Sequence, residues 1–380
     1  MTQNRPNGTP LQQEGNEHAE NLVDGKEIAI STRKSSLAVL KAKDMSAEGH
    51  ESRKVIELGS FEGVCEHFNL GALIDAKPIG NGKNNAVTCL TTDKGKYILK
   101  HYKDGNLNRS KRLGKLSTEA HFLDYLKKKG FKCGAVHKDE VFMYGEDYAL
   151  IFDFVEGEPP EANDENLVKL GRQTSLIHQL SSEYNNPEPS KEEERPSNEI
   201  IRKSLEYIGM EPEKVGIYMG RLESLDLSRF PQGGTNGPLE EFLIHTDLNP
   251  NNMLLANGEL NFIDFEFLRI YSPLYDITKI MEAWCSGDSI SDMAKKVNLF
   301  LSEYEKIRPF QNGERELLLD YYEWKMLARL VRNSVACLQE TDPTFKDKRR
   351  KFAIKSVKKF ETLLHNREEM EKELASGQSR

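Results

Sequence analysis

The sequence predicts an α+β chain of two lobes, a small antiparallel β-rich N-terminal lobe followed by a larger, mainly helical C-terminal lobe. Three observations predict it. Between Ala86 and Val155 the pattern runs strand, strand, helix, strand, strand; Gly157, Pro159 and Pro160 then interrupt it; and beyond them apolar residues recur at helical spacing. A length of 380 residues suits two or three lobes better than one core. A join of this kind invites a ligand cleft.

Residues 1–55 are rich in Gln, Asn, Gly, Ser, Glu and Lys, with one weak apolar patch from Ile28 to Leu40, so they read as a disordered tail. From Val55 the texture changes. Phe61, Val64, Cys65, Phe68 and Leu70 fall at helical spacing ahead of Gly71. Two strands, Ala86 to Thr92 and Tyr97 to Tyr102, flank Asp93-Lys94-Gly95-Lys96, a hairpin turn. A helix is expected from Ser117 through Lys128, with Glu119 in its first turn and Gly130 closing it. Glu140 to Met143 and Tyr148 to Val155 form the second strand pair. Leu167, Leu170, Thr174, Ile177 and Leu180 then mark one helix, and Leu318 through Val331 another. Ser181 to Asn198, with three prolines and a Glu192-Glu193-Glu194 run, reads as a solvated insertion. One strand island remains, Met253 to Leu255 and Leu260 to Phe265. The expected divisions are therefore a tail over 1–55, an N-lobe over 56–157, a C-lobe over 158–370 and a flexible C-terminus over 371–380.

Composition excludes several function classes. There are 61 acidic against 53 basic residues, a net charge of −8, which disfavours nucleic acid as a partner. The basic run from Lys346 to Lys359 reads as a solvated helix face. Five cysteines without a C-x-x-C pair read as reduced thiols. The N-terminus lacks an apolar secretory core and no stretch is apolar enough to span a bilayer, so the expectation is a cytoplasmic protein.

The chemistry concentrates in His245-Thr246-Asp247-Leu248-Asn249-Pro250-Asn251-Asn252, followed twelve residues later by Asp264. Phosphoryl transfer needs a carboxylate at the attacking hydroxyl, and an amide oxygen plus a second carboxylate to hold Mg²⁺ against the phosphates. One loop presents Asp247 and Asn252, and the hairpin behind it returns Asp264. His245 reads as the loop's structural support. Upstream, Lys100 on a strand and Glu119 on the next helix suit an ammonium aimed at nucleotide phosphates, and Gly80 and Gly82, in Gly80-Asn81-Gly82-Lys83, permit close backbone approach to phosphate oxygens.

In this order of parts the chain resembles the aminoglycoside phosphotransferase and choline kinase family of small-molecule kinases, over about residues 60 to 340. The resemblance implies a protein-kinase-like two-lobe fold. It implies Asp247 as catalytic base, Asn252 and Asp264 as Mg²⁺ ligands, and Lys100 with Glu119 as phosphate clamp. By the same likeness the backbone of Asp153 and Val155 would meet adenine, and Asp276 would brace the catalytic loop. Thr246 replaces the arginine of protein kinases, and Asp264 and Asp276 lie too close in sequence for a long activation segment, so a protein substrate is disfavoured.

The implied activity is an ATP- or GTP-dependent transfer to a hydroxyl of a small, cationic or amino-bearing acceptor. Choline or ethanolamine, an aminosugar or aminoglycoside, methylthioribose and a homoserine-like acceptor all stay open. Glu266, Glu282 and Trp284 resemble the choline kinase branch, and Tyr322 and Trp324 would complete an acceptor pocket with them; helical spacing equally suits these aromatics to a core. The rival reading is a nucleotide-binding pseudokinase that recruits partners.

Overall fold

A computed structural model describes residues 55–81, 85–103, 109–185, 196–224, 239–311 and 313–376. The expected tail, apart from Val55, lies outside them, as do Gly82 and residues 186–195 of the expected insertion. All described residues belong to one compact unit.

The N-lobe is a six-stranded sheet of β1 (Glu57–Leu58), β2 (Leu73–Asn81), β3 (Asn85–Thr92), β4 (Lys96–Tyr102), β5 (Phe142–Tyr144) and β6 (Asp147–Asp153), in the order β1-β5-β6-β4-β3-β2. Sequence reading misses β1 and β2, and the reason is local. β2 contains Pro78 and breaks register between Leu73 and Asp75 and between Pro78 and Gly80, which only an edge strand tolerates. Side chains alternate across β6: Ala149 and Ile151 pack with Val64 and Cys65 of α1 (Phe61–His67), while Tyr148 and Leu150 join the core of α2 (Arg109–Lys128).

Helix α2 begins eight residues before the expected Ser117, so Glu119 sits in mid-helix and not in a first turn. The Ser-Thr pair that reads as a cap is interior; Thr118 donates its hydroxyl back to the Gly114 carbonyl four residues earlier, 3.1 Å away.

The C-lobe contains α3 (Asp164–Ser182), α4 (Asn198–Tyr207), α5 (Pro212–Ser224), α6 (Leu274–Ala283), α7 (Ile290–Glu305), α8 (Leu318–Gln339) and α9 (Pro343–Ser376). Two hairpin-like pairs carry the loops of interest, β7 (Phe242–Ile244) with β10 (Arg269–Tyr271), and β8 (Met253–Ala256) with β9 (Glu259–Phe262). The expected flexible end over 371–380 is corrected as far as Ser376: α9 continues because Met370 and Leu374 are buried.

The lobes are stitched where the prolines interrupt the pattern. Glu158 bridges Leu255, and the Gly134 amide donates to the Phe262 carbonyl at 2.8 Å. Gly157 is required there, since a Cβ would stand 2.7 Å from the Leu255 carbonyl oxygen. All five cysteines are free. Among the described residues no helix is long and apolar enough to cross a membrane.

Candidate functional site

Between the lobes lies a cavity of about 450 Å³. Ile79, Val87 and Ile98 line it from the sheet, Phe152 to Val155 from the end of β6, and Leu254 and Ile263 from the C-lobe, with Lys100, Glu119, Asp264 and Glu266 at its polar end. An apolar slot ending in a few charges suits a planar base joined to phosphates. Asp153, on that wall, gives its carboxylate to Lys127 at 2.6 Å and His137 at 2.8 Å. Gly80 pairs with Val87 at the end of β2.

The loop after β7 is knit by its own groups. The Asp247 amide donates to His245 Nδ1 at 3.3 Å, while His245 Nε2 lies 3.0 Å from the Ile263 carbonyl oxygen. That pattern requires the ring hydrogen on Nε2, since a carbonyl can only accept. Asn252 donates its side-chain amide to Asp247 Oδ2 at 2.8 Å, and its own carbonyl accepts from Ile263 N at 3.0 Å. Asp264 is the next residue. Its Oδ1 pairs with Lys100 Nζ, and Lys100 lies 3.2 Å from Glu266 Oε2. The structure therefore brings Asp247, Asn252, Asp264 and Lys100 into one place.

Beneath this loop Asp276 is fully buried. Its carboxylate accepts from Thr246 N at 2.7 Å and His245 N at 3.1 Å, and lies 3.3 Å from His178 Nε2. Thr246 and Asp264 both hold left-handed backbone, at φ 66° and 63°. Neither is glycine, so surrounding contacts must hold these costly conformations, as is common at functional sites.

Two sequence expectations change. Lys100 forms its ion pairs with Asp264 and Glu266 and not with Glu119, whose carboxylate accepts from the Tyr102 hydroxyl at 3.0 Å. Glu119 acts on Lys100 through the field: burial alone would lower the lysine's pKa, but Glu119, Asp264 and Glu266 together raise it. The second concerns the acceptor pocket. Trp284 is fully buried, and Tyr322 and Trp324 are buried in the C-lobe core, so helical spacing here serves packing. Glu266 lies in the inter-lobe cavity beside Lys100. Glu282 pairs with Arg329 and Lys359; burial would raise its pKa, but these cations outweigh it and hold the carboxyl near about 2.

Sequence reading also passes over Lys279. On α6, three residues beyond Asp276, it places Nζ 2.8 Å from Asp247 Oδ1. The one available signal is that residues three apart share a helix face.

Burial raises the Glu119 pKa to about 7 against partial opposition from Lys100 and the Tyr102 hydroxyl. With the folded value above the unfolded one, the native state binds the extra proton, so stability falls as pH rises from about 4.5 through about 7. Glu119→Gln is expected to flatten that slope. Urea titrations from about pH 5 to about pH 8 check it, and unchanged slopes in the two proteins would contradict it.

A family model described as "Phosphotransferase enzyme family" matches residues 75–310. A homoserine kinase from Mesorhizobium japonicum is 25% identical over 330 residues, 80% of this chain and 96% of the relative. Among solved structures, a microcompartment-associated aminopropanol kinase has a TM-score of 0.57 at 16% identity, covering 77% of this chain and 93% of the other. The amicoumacin kinase hAmiN, in complex with AMP-PNP, Ca²⁺ and Ami, has 0.53 at 16%, covering 74% and 88%. At such identities these two likenesses concern the fold, which is kinase-like.

Proposed function

The chain belongs to the phosphotransferase enzyme family and is a small-molecule kinase, and from that premise we propose that Asp247 is the base for transfer of the γ-phosphoryl group of ATP or GTP to an acceptor hydroxyl. The observation that carries this reading is the run of contacts from Asp247 through Asn252 and the Ile263 amide to Asp264, which pairs with Lys100 at the polar end of the cavity.

The nucleotide base would lie in the apolar slot against the backbone of Asp153 and Val155, with Lys100 facing the phosphates and Gly80 and Gly82 allowing backbone to approach them. The donors offered to a metal are the Asn252 side-chain oxygen, left over when its amide nitrogen turns to Asp247, and the Asp264 carboxylate. Oxygen-only donors in this small number suit Mg²⁺, which completes its shell with phosphate and water. Such an ion would neutralise charge on the phosphates.

Around it the protein's residues orient the reaction. Asn252 and Lys279 clamp the two oxygens of Asp247. The acceptor oxygen attacks the γ-phosphorus as its proton passes to an Asp247 carboxylate oxygen, and the bond to the bridging β,γ-oxygen breaks to release the nucleoside diphosphate. The relative named homoserine kinase supports an amino-bearing alcohol as acceptor.

The test is coupled ADP release with Mg²⁺ over choline, ethanolamine, homoserine, methylthioribose, hexosamines and aminoglycosides. At least one acceptor should be phosphorylated, and chelation of the metal should abolish that turnover, with recovery when Mg²⁺ is restored. Turnover undiminished in excess EDTA would remove the metal role, and silence across the panel with ADP still bound would favour the pseudokinase reading.

A further inference from the structure

Behind β7 a line of buried polar side chains joins α3, the end of α7 and α6. On α3, Gly171, Ser175 and His178 recur at i, i+4 and i+7 and so share a face. A Cβ on Gly171 would stand 2.6 Å from the Phe300 carbonyl oxygen, so that face meets α7 at backbone distance. Ser175 donates its hydroxyl to the Tyr304 carbonyl at 2.6 Å and accepts from Arg308 N at 2.8 Å, which pins the end of α7 against α3. His178 lies 2.9 Å from the Tyr304 hydroxyl through Nδ1 and 3.3 Å from Asp276 Oδ2 through Nε2. His178, Tyr304 and Asp276 are all fully buried.

One direction of hydrogen bonding satisfies every member. The Arg308 guanidinium can only donate, and it does so to the Tyr304 hydroxyl oxygen at 3.2 Å, which leaves the Tyr304 hydrogen for His178 Nδ1. Asp276 accepts, so the ring hydrogen of His178 stands on Nε2. Burial lowers the His178 pKa against the pull of Asp276, and the charge of Arg308 adds to the lowering, so the imidazole is neutral. The far end is anchored: Arg308 holds the buried Glu314 by two bonds of 2.8 and 2.9 Å and reaches Glu240, two residues ahead of β7, at 3.0 Å. Its guanidinium carbon stands 5.4 Å from the centre of the Phe242 ring, which the His178 ring meets at 5.7 Å. The same side chains therefore support β7 at its start and, through Asp276, the loop at its end. Apolar side chains could fill this space. What the polar line adds is a third donor to Asp276, beside the amides of His245 and Thr246, that fixes how its carboxylate is turned.

We infer that His178 is a positioning residue for phosphoryl transfer: held as the neutral Nε2–H imidazole by Tyr304 and Arg308, it fixes the Asp276 carboxylate and so the loop that carries Asp247. The inference rests on the assignment of Asp247 as the base, because that is the group whose placement His178 controls.

The experiment measures ADP release by the full chain with ATP, Mg²⁺ and the fastest acceptor of the panel, or water as acceptor if none reacts, at temperatures where each variant is folded. His178→Leu, which fills the space without a donor, should lower kcat about 10- to 100-fold with KM for nucleotide and acceptor within a few-fold, as for loss of a group that orients a site residue. Tyr304→Phe keeps the ring and should lower kcat by about the smaller of these factors. His178→Gln can present a side-chain amide to Asp276 and should recover kcat to within a few-fold of wild type. Nitrogen-15 spectra of the imidazoles, with His178 identified by its loss in His178→Gln, should show hydrogen on Nε2 alone from about pH 5.5 to about pH 8. A purely structural His178 would lower Tm and leave kcat of the folded protein unchanged; that result in His178→Leu and Tyr304→Phe, with Asp247→Ala still impaired, would overturn the inference and leave the base standing. Hydrogen on Nδ1, or a His178→Gln as slow as His178→Leu, would overturn it as well. Wild-type turnover in Asp247→Ala, or no ADP release by the wild type under any of these conditions, would remove the base and the inference with it.

Discussion

Asp247→Ala is expected to lower kcat by about 10²- to 10⁴-fold or more while nucleotide affinity stays within a few-fold. The separation follows from position. Asp247 lies among Asn252, Lys279 and the His245 loop, and is absent from the wall of the apolar cavity, whereas Lys100 and Asp264 stand at that cavity's polar end. Removing the carboxylate takes away the proton acceptor and frees the Asn252 amide and the Lys279 ammonium, but touches none of the apolar slot. Single-turnover phosphoryl transfer measured beside ADP calorimetry checks both halves. Wild-type turnover in this variant would reject the base, and a nucleotide affinity that collapsed with kcat would mean that Asp247 organises the cavity instead.

Asp276→Ala is expected to damage stability and turnover together. Its buried carboxylate receives two backbone amides and faces the buried His178, and holds Thr246 in left-handed backbone. Truncation leaves those donors without an acceptor, a loss of about 3–5 kcal/mol by analogy with breaking other buried charged networks. Asp276→Asn keeps an oxygen for one amide and should fall between. Thermal unfolding, with activity measured well below the transition, separates the two effects: residual folded Asp276→Asn should still turn over more slowly because the loop carrying Asp247 is less well held. A Tm and kcat equal to wild type in Asp276→Ala would sink the proposed brace.

The loop proposed to carry the base was legible because its contacts are local. His245, Asp247, Asn252 and Asp264 are joined by contacts spanning fewer than about twenty positions, across one short turn and one hairpin, so spacing alone places them. Helix α2 was legible in kind and wrong in extent, since Ser117-Thr118-Glu119 resembles a start and the real start lies at Arg109. Trp284, Tyr322 and Trp324 were ambiguous for a different reason: an aromatic at helical spacing can serve a pocket or a core, and burial resolves the question only when neighbouring helices are in place.

By itself the sequence determined the order of the two lobes, the hairpin behind the loop and the spacing of the residues proposed to transfer a proton and hold a metal. These depend on backbone periodicity and short covalent spacing, which act before any long-range contact forms. Only the tertiary structure decided that Lys100 meets Asp264 and Glu266 in place of Glu119 and that Lys279 clamps Asp247. Such pairings join side chains from separate elements, and the choice among several available carboxylates is made by how lobes and helices pack, which spacing along one chain does not encode.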